Sequence, residues 1–414
     1  MTIKELNGKE YETFINKYGY KDYRQSISYA AYLKSKGYNI KLLGFIENGE
    51  IKASLLLAYN IIFLRYYGGF SPRGLVTRYS DINLLNRVLK SLKEYLNRNK
   101  FITFKIDPPC IIFVRNKKGI KYQSDKAAKD IYKTFIDNGF KHKGMNKYFN
   151  TMNPRFEALL NLDKTQDILF RDLRKNVRNK LRKATKYGLV VYKDNEYDWK
   201  TYYNILKGIN NINLKDYLRL NKAFGTNLEV YYAKLNTVTY VENSRRLYEK
   251  ELSNNSHLNN IIQSSAYKGK DMTVILNKKM QSDKVLSSYK IYMTNATNLL
   301  KKYPNGFIVG VSVIIKYKDT IYLFNENYDK NFSNLCANYL TKWKIIEKYA
   351  GNKDINYFNL GAISGEFDKK KNPYKGLNEM KLGYNSKVIE YLGEFEIITN
   401  ENIYKLYNTF GRKN

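Results

Sequence analysis

Residues 171–188, RDLRKNVRNKLRKATKYG, hold eight Lys or Arg and a single acid, Asp172. Cations at this density meet phosphates, whether of RNA, of lipid headgroups or of a phosphorylated substrate. Phe170, Leu173, Val177, Leu181 and Ala184 recur at helical spacing. The stretch therefore reads as a helix docked by a narrow apolar stripe, with its cations toward solvent. Asp163 with Gln166 predicts a capping box at its start, and Gly188 predicts its end. Other chemistry is missing. His142 and His257 stand apart from Cys110 and Cys336, so no zinc site is expected. There is no G-x-S-x-G, no G-x-x-x-x-G-K-[ST] and no G-x-G-x-x-G. An enzyme built from this set takes a substrate that is already activated and supplies position and charge. No cofactor and no metal are expected.

The whole chain carries the same charge bias. Its 414 residues bear a net charge of +34, which attracts polyanions, and its 43% apolar content excludes a disordered chain. Two distant cysteines suit a reducing cytosol. The N-terminus lacks the apolar core of a signal peptide. The longest apolar stretch, residues 53–64, is too short to span a bilayer. A soluble, cytoplasmic protein is expected, with peripheral contact to the anionic inner leaflet through its charge.

The elements that must position these residues repeat. In 42–71, two strand-like runs flank Asn48-Gly49 and a third follows. Residues 81–99 form an amphipathic helix with Asp81 at its N-cap, and FITFKID returns as a strand. In 305–363 the order recurs: a hairpin turning at Lys318-Asp319, a helix ended by Gly351, then INYFNLGAIS. An α/β fold with mixed sheets is expected, made of two tandem N-acetyltransferase-like (GNAT) halves. No Q/R-x-x-G-x-G/A loop for a coenzyme A pyrophosphate is present. Between the copies, Met272, Ile275, Lys279, Ser282, Leu286, Tyr289, Met293, Ala296 and Leu300 keep a heptad register, with Gly269 before them. This predicts an antiparallel helical-hairpin arm. The expected division is 1–151 for the first half, 152–238 with 305–414 for the second, and 239–304 for the arm.

Seven segments, in order, resemble the Fem family of tRNA-dependent aminoacyltransferases, which build the side-chain bridge of peptidoglycan. They are RQSISYAAYLKSKGY, SPRGLV, FKIDPP, MNPRFEALLNLD, LRKNVRNKLRKATKYGLVV, NYLTKWKIIEKYAG with YFNLGAISG, and GLNEMKLGY. The resemblance implies two acetyltransferase-like halves. It implies that an amine on the stem peptide of a peptidoglycan precursor, lipid II or its soluble nucleotide form, attacks the ester of an aminoacyl-tRNA. The ester is already activated, which agrees with the missing nucleotide motifs. The basic helix, through Arg174, Arg178, Arg182 and Lys183, and the arm would then hold tRNA phosphates.

The same resemblance implies site residues. Lys381 matches the family's lysine after an aromatic residue, as a charge on a phosphate or a developing oxyanion. Met380 replaces that aromatic. Asp107 matches the acid before proline, placing the amine or taking its proton. Phe324 stands where a relative has a substrate-contacting Tyr. Tyr217 matches another contact, Asn213 replaces an Arg, and Lys34 and Arg73 are looser matches for precursor contacts. The alternatives are an acyl-coenzyme A N-acyltransferase of the same fold, or a non-catalytic basic protein that binds RNA or membrane. Which amino acid is transferred, glycine, alanine or serine, stays open.

Overall fold

The computed structural model describes residues 1–194, 196–208, 212–264 and 271–411. The chain begins with β1 (Thr2–Glu5), α1 (Gly8–Lys17), α2 (Ile27–Ser35), β2 (Asn39–Glu47), β3 (Glu50–Phe63), β4 (Tyr66–Ser71), α3 (Ile82–Arg98) and β5 (Phe101–Ile106). Next come β6 (Ile111–Arg115), β7 (Lys121–Ser124), α4 (Ala128–Asp137), β8 (Lys141–His142), β9 (Phe156–Asn161), α5 (Gln166–Asp172), α6 (Lys175–Lys186) and β10 (Leu189–Asp194). Then follow α7 (Trp199–Leu206), α8 (Leu214–Phe224), β11 (Leu228–Leu235), α9 (Thr237–Gln263) and α10 (Thr273–Lys302). The chain closes through β12 (Phe307–Tyr317), β13 (Thr320–Tyr328), α11 (Ala337–Tyr349), β14 (Tyr357–Ala362), α12 (Lys375–Leu382), β15 (Lys387–Tyr391), β16 (Phe395–Ile398) and α13 (Glu401–Leu406).

Two mixed sheets result, ordered β1-β2-β3-β4-β5-β16-β8 and β10-β11-β12-β13-β14-β9-β15-β6-β7. The expected repeat is present. In the first sheet β2, β3 and β4 are antiparallel, and β5 returns parallel to β4 after α3. In the second, β11, β12 and β13 are antiparallel, and β14 returns parallel to β13 after α11. A parallel return needs a crossover, and an amphipathic helix provides it while covering the sheet. The Asp81 carboxylate accepts from the Leu84 N–H at 2.9 Å. Leu84, Leu85, Val88, Leu89, Leu92 and Leu96 of α3 are all buried. The halves also exchange strands across the boundary expected at residue 151. β6 and β7 pair into the second sheet, and β16 pairs with β5 in the first.

Gln25, fully buried just ahead of α2, ties that helix to the first sheet. Its amide oxygen accepts from Tyr11 Oη and the Leu56 N–H, both at 3.0 Å. Its amide nitrogen donates to Ser71 Oγ at 3.1 Å and the Pro72 carbonyl at 2.7 Å. Gln25→Leu would strand those partners in the core and is expected to cost about 2 kcal/mol, read by denaturant unfolding. An unchanged midpoint would show that the amide is dispensable.

The basic stretch departs from the single helix expected. Leu173 and Arg174 are extended, with ψ near 146° and 147°, so α5 and α6 are separate. The capping box is absent: α5 starts after Thr165 without a side-chain cap, and the Asp163 N–H donates to Asn161 Oδ1 instead. Gly188 does end α6, with φ of 81°. The helix that Gly351 ends begins at Ala337, after a left-handed Cys336.

α9 and α10 pack as the antiparallel arm. The turn placed at Gly269 lies outside the described residues. Two polar residues interrupt the heptad, and both have partners. Asn255 Nδ2 donates to Ser282 Oγ at 3.1 Å, Ser282 donates to Glu251 at 2.5 Å, and Lys279 pairs with Asp283 at 2.6 Å. A buried polar contact of this kind sets one register for two helices at some cost in stability.

Candidate active site

β13 and β14 stay in parallel register only over Thr320–Tyr322 and Tyr357–Asn359. Beyond that the strands part, and a cleft of about 920 Å³ opens between them. Leu323 to Glu326 come from β13, and Gly361 and Ala362 from β14. Two irregularities shape it. The β12–β13 register shifts between Val313 and Ile314, leaving Phe324 as the extra residue, and a bulge of this kind re-aims a side chain. Gly361 sits at φ 78°, a conformation that glycine adopts without strain, and β14 turns away there. The remaining lining comes from Tyr23, Arg24, Phe149, Thr151, Met152, Pro154, Glu157, Leu377 and Lys381.

Lys381 stands on α12 and is 7% exposed. Its Nζ donates to the Ala362 carbonyl at 3.0 Å. An ammonium has three donors, so among the described residues two are left for a ligand. Burial pulls its pKa down to about 8, with Glu326 opposing and Lys342 assisting. Lys342, wholly buried, pairs with Glu326 and lies 3.8 Å from Met380 Sδ. Met380 is thus packing beneath the cleft wall, and the Asn338 amide donates to its sulfur at 3.0 Å.

A second charged group lies across the cleft. Arg73, 1% exposed, pairs with Glu157 at 2.9 Å and Asp107 at 3.3 Å, and its guanidinium stacks 3.8 Å from the Tyr391 ring centre. Arg24 reaches Glu157 at 3.6 Å and Asp22 at 2.8 Å. Burial pushes the Glu157 carboxyl up, but Arg73, Arg24 and the Asn359 amide outweigh it and hold it below the usual range. Asp107 behaves differently. Its Oδ1 accepts from the Arg73 N–H at 2.7 Å and its Oδ2 from Asn153 at 2.9 Å. Burial lifts its pKa to about 6 against the pull of Arg73. Four cations (Arg24, Arg73, Lys342, Lys381) thus face four carboxylates (Asp22, Asp107, Glu157, Glu326). Within a chain of +34 this site is balanced, so it can hold an ammonium and a developing oxyanion together.

The residues singled out from sequence divide accordingly. Lys381 and Phe324 line the cleft. Asp107 and Arg73 lie behind Glu157 and do not line it; their buried pair sets where Glu157 stands. Tyr217 is fully buried, stacked on Trp199 and hydrogen-bonded to Asn325, so it supports a lining residue from behind. Asn213 caps α8 in a reciprocal box with Asp216. Lys34 is exposed at the end of α2, outside the cleft. Among the cations, Arg174 donates to the Lys117 carbonyl at 2.6 Å. Arg178 donates to the Arg171 and Leu173 carbonyls freed at the break between α5 and α6. Arg182 and Lys183 remain exposed. Glu157, Glu326, Lys342 and Arg24 were not singled out. The available signal was a charge inside an apolar run, as in RFEALL and YLTKWKII, because a buried charge requires a partner.

Two hairpin–helix–parallel-strand lobes that share strands around one charged cleft define a tandem acyltransferase-type architecture. The chain belongs to the FemAB family, whose model matches residues 6–412. It is 23% identical over 418 residues to aminoacyltransferase FemA of Staphylococcus epidermidis, with 99% of each chain covered. It is also 23% identical to lipid II:glycine glycyltransferase of Staphylococcus haemolyticus, covering 98% of this chain and 95% of that one. The crystal structure of FemX superposes with a TM-score of 0.70 at 19% identity, over 98% of this chain and 99% of that chain, which shows a shared fold.

Proposed function

We propose that this protein is an aminoacyltransferase that joins an amino acid from aminoacyl-tRNA to an amine on the stem peptide of lipid II, building the interpeptide bridge. Family membership across the whole chain and the names of its relatives support the reaction class. The observation that carries it is the buried Lys381 ammonium in a cleft shared with Glu157 and Glu326. An acceptor amine with a pKa of about 10.4 arrives protonated. Glu157, kept ionised, holds that ammonium. The ammonium passes its proton to solvent water, the neutral nitrogen attacks the ester carbonyl, and Lys381 stabilises the tetrahedral oxyanion. Collapse forms the amide and releases the tRNA hydroxyl, which carries away a proton. Asp107 acts through Arg73 as a positioning residue.

The polyanionic donor accounts for the surface charge. Arg171, Lys175, Arg182 and Lys183 are exposed along α5 and α6 and are proposed to meet tRNA phosphates. Reversing all four to Glu is expected to weaken aminoacyl-tRNA binding at least tenfold and flatten the slope of log K against log salt by about 3. Unchanged affinity and slope would leave this helix as plain surface. The reaction itself is tested by offering a panel of charged tRNAs with lipid II, with its soluble precursor and with acetyl-coenzyme A, and reading products by mass. Acetylation without aminoacyl transfer would overturn the proposal. The anionic leaflet that carries lipid II is a further proposed contact, and no helix among the described residues is long and apolar enough to cross a membrane.

A further inference from the structure

Away from the cleft, β6 and α4 leave an apolar groove of about 360 Å³, lined by Ile112, Phe113, Ala128, Tyr132, Met145 and Leu392. Met145 is 55% exposed at its mouth. Lysines ring it. Lys126 and Lys129 form part of the lining together with Asp125, and the Lys121 ammonium lies 3.5 Å from the centre of the Phe113 ring. All three lysines are exposed. The enclosing segment, residues 111–147, holds ten Lys or Arg against three Asp. The proposed transfer makes no use of this groove.

Its chemistry selects among polyanions. An RNA backbone is met by charge and gains nothing from a hydrocarbon slot. A phospholipid offers an anionic headgroup above acyl chains, and this face offers cations around an apolar trough. We infer that the β6–α4 face docks the protein on an anionic lipid leaflet, with Lys121, Lys126 and Lys129 at the headgroups and Met145 in the acyl boundary. Met145 also begins the segment that supplies Phe149, Thr151, Met152 and Pro154 to the cleft wall. Docking therefore brings the cleft rim to the surface from which a lipid-linked acceptor arrives. That consequence rests on the acceptor proposed above; the docking itself does not.

The test is co-sedimentation with phosphatidylglycerol–phosphatidylcholine vesicles and with pure phosphatidylcholine vesicles. Binding is expected only to the anionic ones. The combined Lys121→Ala, Lys126→Ala and Lys129→Ala variant should lose binding on the order of 100-fold, about fivefold per lysine. Met145→Asp should lose about tenfold. Alanines at Lys278, Lys284 and Lys290 of α10 remove equal charge elsewhere and should change binding less than about twofold. If this control loses as much as the groove variant, or if Met145→Asp binds like the parent, net charge alone attracts the vesicles and the inference fails. A dimer in vesicle-free ultracentrifugation that Met145→Asp dissociates would assign the groove to a second copy and also overturn it. No tRNA or transfer enters this measurement, so its failure and that of the aminoacyl-transfer reading are separable.

Discussion

Replacing Lys381 by Met is expected to lower turnover by about 10²–10³-fold, the usual loss when one preorganised donor to an oxyanion is removed. The fold should survive, because among the described residues the side chain makes a single hydrogen bond, to the Ala362 carbonyl. Single-turnover aminoacyl transfer reads the loss, and thermal unfolding reads the fold. Activity within a few-fold of the parent, with the fold intact, would remove Lys381 from the chemistry. The pH dependence sharpens the test. Burial lowers the lysine to about 8, so its cation, and with it the oxyanion stabilisation, fades as pH rises through 8. Turnover should decline there even as more acceptor amine becomes neutral. The stability sign follows from linkage. Between pH 8 and 10.5 the unfolded chain holds the Lys381 proton and the native chain has lost it, so stability rises with pH in that window. Met removes the burial penalty at pH 7, and its stability advantage over Lys should shrink toward pH 10.

Arg73→Met should destabilise the protein by about 3–5 kcal/mol, the cost of leaving buried partners of an ion pair uncompensated. Arg73 is 1% exposed, and its guanidinium neutralises Asp107 and Glu157 while stacking on Tyr391. The methionine side chain fills much of the space and supplies no charge. Adding Asp107→Asn should recover part of the loss, because one stranded carboxylate disappears. Arg73→Lys should fall between, since a point charge cannot serve two carboxylates and a ring as a planar guanidinium does. Urea unfolding of the parent and these three variants measures this. A loss for Arg73→Met below about 1 kcal/mol, or no recovery in the double variant, would show that the network is not what holds Glu157.

Much of the scaffold was legible because periodicity is local. The α3 leucines, the Asn48-Gly49 turn and the second hairpin at Lys318-Asp319 each follow from a few neighbouring residues, and each stands where expected. Lys381 was legible as one residue in a short motif, and the cleft does contain it. The break between α5 and α6 was not legible, because the apolar spacing from Phe170 to Ala184 runs on through it. Only the tertiary partner, the Gly383 carbonyl that accepts from the Arg174 N–H at 2.9 Å, explains why the backbone leaves the helix there.

The sequence by itself determined the tandem repeat, the paired helices of the arm and the excess of positive charge, because hydrophobic spacing and net charge survive in any arrangement of the chain. The tertiary structure alone decided which charges are buried and paired beside the cleft. Glu157, Arg73 and Asp107 are distant in sequence and become one site only when β9, the turn after β4 and the end of β5 converge. Burial and pairing then set each protonation state, and no local pattern encodes either.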